Sequence, residues 1–169
     1  SPWNEGLEKF KLQIRDDQCE LVSFDIFDTA VYRPLYNPTD LFYLLDKKFE
    51  TLAPNKISFY EIRTVGEEEA RRKCGEKHSS FQDVTIDEIY QSIGEYFGLA
   101  ADVTQAMLAE EKRLEIELCR PRKSAKELYD FALLCGKKVI FTSDMYLDED
   151  TIRAILSKCG YAENEKLYL

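Results

Sequence analysis

The sequence predicts an α/β fold, a parallel doubly wound sheet interrupted by a large helical insertion. Three observations predict it. Two short β-prone apolar runs, Leu21 to Phe27 and Lys138 to Thr142, stop at polar residues; the stretch from Pro38 to Pro121 reads as helix with no intervening strand; and beyond Pro121 helix and strand alternate again.

The elements follow in order. Residues Trp3 to Gln18 have Leu7, Phe10, Lys11 and Ile14 at helical spacing, predicting an amphipathic helix packed on the outside of the sheet. Leu21-Val22-Ser23-Phe24-Asp25-Ile26-Phe27 follows, an apolar run broken by one aspartate, as expected of a buried parallel strand with a functional residue near its carboxyl end. Asn37-Pro38 opens a helix with the stripe Leu41, Leu45, Phe49 and Leu52, and a charge-dense helix spans about Ser58 to Lys77. The capping box Thr85-Ile86-Asp87-Glu88 starts the cleanest 3.6-residue period in the chain: Ile86, Ile89, Tyr90, Ile93 and Phe97, stopped by Gly98. A fourth helix runs from about Asp102 to Cys119. Its Met107, Glu111, Leu114 and Leu118 share one face, so Glu111 is expected to be buried and to need a cationic partner, with Arg63 the candidate. After Pro121 come a helix from Ser124 to Cys135 closed by Gly136, the second strand, a helix from Asp148 closed by Gly160, and a strand from Glu165 to Leu169. The expected division is therefore 1–34 with 122–169 as an α/β core, and 35–121 as a helical bundle.

Composition limits the chemistry. Among 169 residues, 23 Lys+Arg stand against 32 Asp+Glu, a net charge of −9 that disfavours nucleic acid and anionic lipid surfaces in the absence of a basic patch. The five cysteines are odd in number, widely spaced and never arranged as C-x-x-C, which argues against a disulfide framework or zinc ribbon and for small core fillers. His78 is the only histidine, expected in an exposed loop, so neither a Cys/His metal cluster nor a Ser-His-Asp triad can be built. No apolar run approaches the roughly 20 residues of a membrane span, and a signal-peptide pattern is lacking; a cytoplasmic setting is expected.

In parallel sheets, ligands bind beyond the carboxyl ends of the strands, so Asp25-Ile26-Phe27-Asp28-Thr29 and Ser143-Asp144-Met145-Tyr146 are the candidate site. A strand-end carboxylate can attack phosphorus, Mg²⁺ can offset charge repulsion, and the hydroxyls of Thr29 and Ser143 can hold phosphoryl oxygens. At these residues the sequence resembles the haloacid dehalogenase (HAD) superfamily, whose first motif is an apolar strand ending in Asp-x-Asp-x-Thr and whose second is an apolar strand ending in Ser or Thr. The closer resemblance is to the branch reading F-D-I-F-D-T, with Arg33-Pro34 just downstream and S-D-M-Y-L at Ser143 to Leu147. It extends to Arg63, Glu67, Ala70 and Arg71 in the insertion.

The resemblance implies a Rossmann-like core with a helical (C1-type) cap, inserted after strand 1, that closes over the site. It implies a Mg²⁺-dependent phosphohydrolase acting on a small phosphorylated metabolite, such as a sugar phosphate. Asp25 would be the nucleophile, Asp25 and the Phe27 backbone carbonyl the metal ligands, and Thr29, Ser143, Arg33 and Asp28 the phosphate or substrate contacts. Members of this branch are often fused to bacterial glycosyltransferases, which implies such a partner, and the alternative role of a non-catalytic docking module. Two departures stand out. Phe27 occupies the position of the family's general acid, and Asp28, one residue on, faces the other way on an extended segment. The chain also ends near the third strand, before the lysine and acidic motif that the family uses to complete its metal site, so a truncated core, weak or inactive on its own, is expected.

Overall fold

The computed structural model describes residues 2–50, 57–77, 83–162 and 165–169, with side chains from Glu5 onward except at position 77. Among them it is mixed α/β, with seven helices and a small parallel sheet of three strands. Leu52 and His78 lie outside the described residues. The chain divides into two compact units, one formed by Ser1–Arg33, Cys119–Asp144 and Arg153–Leu169, the other by Pro34–Leu118 and Met145–Ile152.

In the first unit, β1 (Leu21–Asp25), β4 (Lys138–Thr142) and β5 (Lys166–Tyr168) form the sheet in the order β1-β4-β5. The β1/β4 register runs from Leu21 opposite Lys138 to Asp25 opposite Thr142. Two further strands that the sequence pattern does not predict, β2 (Val31–Tyr32) and β3 (Arg120–Pro121), pair antiparallel at the two points where the chain leaves this unit and returns to it. At two residues each they are too short to carry a period-2 signal.

The core of this unit is aromatic. Phe24, Tyr129, Phe141 and Tyr161 are all buried, and their rings meet at centroid separations of 4.9 to 6.2 Å, largely edge-on or tilted. The alternation of burial along β4, with Val139 and Phe141 inside, supplies this layer from one strand face. Helix α1 (Pro2–Arg15) packs against α6 (Lys123–Leu134). Only Ile14 of its apolar stripe is buried, while Phe10 stays 57% exposed. The contact is instead held by Lys11, which pairs with Glu127 at 2.6 Å and lies over the Phe131 ring.

The second unit is built from α2 (Asp40–Phe49), α3 (Phe59–Lys77), α4 (Ile86–Phe97) and α5 (Ala101–Leu118), in which α2 packs on α3 and α5, and α4 on α3 and α5. Helix α4 begins with the reciprocal capping box: Thr85 Oγ1 accepts from the Glu88 amide, and the Glu88 carboxylate accepts from the Thr85 amide. It ends at Gly98, whose φ of 65° is left-handed and favours glycine. Ile86, Ile89, Tyr90 and Ile93 form its buried stripe. In α3 the glycine at 66 answers a close approach, because a Cβ there would lie 2.1 Å from Ile93 Cγ1. This unit also takes in Met145–Ile152, which the sequence pattern groups with the α/β part, and includes the start of α7 (Glu149–Lys158).

Candidate functional site

The site is built on the carboxyl ends of β1 and β4. Pairing of Asp25 with Thr142 brings the two candidate motifs onto neighbouring strands, about 4.8 Å apart, and the Ile26 amide continues the ladder by donating to the Thr142 carbonyl at 3.1 Å. The chain then folds into a tight turn around one acceptor: the Ile26 carbonyl receives the amides of Thr29, Ala30 and Val31 at 2.9 to 3.1 Å. Ile26 and Ala30 are fully buried and anchor this turn, which leaves Asp25, Asp28 and Thr29 exposed. The local sequence dictates this outcome, since apolar side chains go inward at 24, 26 and 30 and the polar ones between them face out.

The exposed side chains interact among themselves. Thr29 Oγ1 donates to Asp25 Oδ2 at 2.8 Å, so the hydroxyl expected to meet a phosphoryl oxygen is directed at the candidate nucleophile. The Arg33 guanidinium lies 4.8 Å from the centroid of the Phe27 ring, a cation–π contact that holds the two together. Ser143 is half-buried, and its amide donates to the Tyr168 carbonyl on β5 at 2.9 Å. Asp144 is exposed.

Two residues that the sequence reading does not single out support the turn. Arg122 donates from its amide to the Ala30 carbonyl and from Nε to the Asp28 carbonyl, both at 2.9 Å, and lies 5.2 Å from the Tyr32 ring centroid. The Tyr161 hydroxyl donates to the same Ala30 carbonyl at 2.8 Å; burial pushes this phenol well above its ordinary value, so it remains a donor across the physiological range. No local signal marks either residue, because each acts on the turn from more than 90 positions away in the chain.

An open cleft of about 560 Å³ runs along β1 between α1 and α6, with Ile14, Val22, Phe24 and Leu128 along its body and Asp28 and Thr29 at one end. Asp25 and Ser143 are not in its lining. For a metal, the motif offers the Asp25 carboxylate and the Phe27 carbonyl. Among the described residues there is no group of three or more His, Cys, Asp or Glu side chains placed to hold an ion. Two hard oxygen donors still match the chemistry of Mg²⁺, which commonly keeps several waters and takes only one or two carboxylates from a protein. No helix among the described residues is long and apolar enough to cross a membrane.

Comparison with protein-family models and with curated proteins finds no match for this chain.

Proposed function

We propose that this chain is a haloacid dehalogenase-type phosphohydrolase domain acting on a small phosphorylated metabolite through an aspartyl-phosphate on Asp25. The observation that carries the reading is the parallel register that pairs Asp25 with Thr142, the residue before Ser143, so that the two candidate motifs leave adjacent strand ends. An Asp25 carboxylate oxygen attacks phosphorus, a new O–P bond forms as the substrate's P–O ester bond breaks, and the ester oxygen leaves with its bonding electrons. Water then attacks the phosphorus of the acyl phosphate, releasing inorganic phosphate and regenerating Asp25. Thr29 orients the Asp25 carboxylate through its 2.8 Å hydrogen bond, and Ser143 contacts a phosphoryl oxygen. Asp25 and the Phe27 carbonyl would hold Mg²⁺, which supplies charge compensation between nucleophile and phosphate when bound.

Phe27 has no proton to give, so the departing oxygen leaves without an acid from that position. The activity therefore favours substrates whose leaving groups have low pKa, such as phenolic or acyl phosphates, over simple alkyl phosphates. A cytoplasmic setting suits the five free cysteines. In the presence of Mg²⁺ the chain should hydrolyse p-nitrophenyl phosphate, and Asp25→Asn should lower turnover by on the order of 10³-fold or more while circular dichroism and Tm stay unchanged. Turnover undiminished in that variant would sink the proposal.

The same Phe27 favours a second reading. With its ring under Arg33 at 4.8 Å, the general-acid position is a packing position, as suits a module that binds a phosphorylated ligand or docks onto a glycosyltransferase without turning anything over.

A further inference from the structure

The turn from Asp25 to Val31 is closed from inside and held from outside. Inside, the Ile26 carbonyl gathers the amides of Thr29, Ala30 and Val31. The carbonyls of Asp28 and Ala30 take their donors from remote parts of the chain instead. Arg122 reaches both, its Nε donating to Asp28 and its amide to Ala30, each at 2.9 Å, and the Tyr161 hydroxyl adds a second bond to Ala30 at 2.8 Å. All of these residues belong to the α/β unit.

Thr29 lies between the two carbonyls that Arg122 binds. The peptide that precedes it is bonded at both ends, the Asp28 carbonyl to Arg122 Nε and the Thr29 amide to the Ile26 carbonyl. The peptide joining Ala30 to Val31 is held the same way, its carbonyl by the Arg122 amide and its N–H by Ile26. A peptide unit is planar, so bonds at both ends fix its tilt, and the backbone around Thr29 has little freedom left to turn the hydroxyl elsewhere. The side-chain bond is charge-assisted, and the Tyr32 ring, 5.2 Å from the guanidinium, steadies the donor. We infer that Arg122 is a positioning residue: by fixing the Asp28–Thr29 peptide it aims the Thr29 hydroxyl at Asp25 Oδ2, the 2.8 Å bond that orients the carboxylate. The inference deepens the phosphohydrolase reading and rests on it for the role of Asp25.

Two substitutions in the full chain separate the hydrogen bond from the charge. Counted along the side chain, Gln Nε2 stands where Arg Nε does, so Arg122→Gln keeps a donor for the Asp28 carbonyl without the charge, whereas Arg122→Met keeps the reach and loses the donor. Hydrogen exchange of the Thr29 amide should speed up about tenfold in Arg122→Met, with the Ile140 amide of β4 unmoved, and stay within about threefold of the parent in Arg122→Gln. In hydrolysis of p-nitrophenyl phosphate with Mg²⁺, Arg122→Met should lower kcat about tenfold with KM within about threefold, and Arg122→Gln should recover most of that loss. In a Thr29→Val background the Arg122→Met change should cost less than about twofold in kcat, because the hydroxyl it positions is gone. Equal Thr29 exchange in the Gln and Met variants, or a kcat cost undiminished in Thr29→Val, overturns the inference and leaves the Asp25 reading intact. Turnover indifferent to Asp25→Asn would sink that reading instead, and a Thr29 amide that speeds up in Arg122→Met but not in Arg122→Gln would still uphold the hold of Arg122 on the turn.

Discussion

The two units bury different kinds of side chain. Among the described residues, the buried polar or charged ones are Arg63, Ser92, Glu111, Glu115 and Thr151, and all five belong to the helical unit. Among the described residues, the interior of the α/β unit is hydrocarbon, aromatic ring and cysteine, with the Tyr161 hydroxyl bonded to a backbone carbonyl, and the side chains of Asp25, Asp28 and Thr29 at the strand-end turn are exposed. The difference shows how one chain divides its work. A greasy sheet core is insensitive to charge and leaves polar groups available for chemistry at its edge. A helical unit organised around an ion pair is held by directional contacts, which specify one arrangement at the cost of desolvation.

The contrast can be broken most sharply at Arg63. Replacing it with Met leaves Glu111 buried without its cation and should cost about 3–5 kcal/mol, read by denaturant unfolding. Burial alone would depress this guanidinium, but the facing Glu111 carboxylate more than offsets that, so it stays charged and its loss cannot be relieved by titration. The triple change Arg63→Met, Tyr90→Phe, Glu111→Leu removes the network together and should restore stability to near the parent value, as expected when a buried ionic cluster is exchanged for matched hydrocarbon. If the single change were silent, the ion pair would not be the organising contact.

A smaller effect separates the units by pH. Burial raises Glu67 and Asp148, but hydrogen bonds from Arg63 and Arg71, and from Lys112 and Thr151, win and hold both below the ordinary carboxylate range. Arg113 and Lys48 hold Glu110 down to about 2. All three lie in the helical unit. Depressed carboxylates contribute stability that is present above their unfolded value, near 4.5 for Glu and 3.8 for Asp, and is lost as pH falls through the folded value. Glu111 works in the opposite sense, because burial pushes it up against the pull of Arg63 and Tyr90. Glu69, held down by Arg72, adds a fourth depressed carboxylate; four against one, the helical unit should lose protection below about pH 4.5, as followed by pH-dependent hydrogen exchange on α3 compared with β4.

Legibility in the sequence divides along similar lines. Features carried by one local pattern are read directly: the capping box and stripe of α4, the two apolar strands, and Glu111, whose place on the Met107–Leu114 face demands the cation that Arg63 supplies. What escapes depends on pairings distant in sequence. The short β2 and β3 strands, the support of the site turn by Arg122 and Tyr161, and the adherence of residues 145–152 to the helical unit each join segments with no shared local signal. Helix α1 shows the limit of periodicity: its apolar stripe predicts a buried face, yet Phe10 remains exposed and the helix is held through Lys11. Gly66 reads as a weak point inside a helix, whereas in the fold it is where α3 and α4 approach too closely for a Cβ. For the candidate site, the sequence singles out Asp25, Thr29 and Ser143 as candidates, and leaves the hydrogen bond from Thr29 to Asp25 and the stacking of Arg33 on Phe27 to be found in three dimensions.

The central claim is that Asp25 is a phosphoryl acceptor, and trapping its acyl-phosphate mimic tests it most directly. Fluorine NMR of the chain with Mg²⁺ and beryllofluoride should give bound-state resonances that disappear in Asp25→Asn. Absence of bound resonances in the parent chain, or their persistence in the variant, would contradict the account and favour a module that binds without turning over.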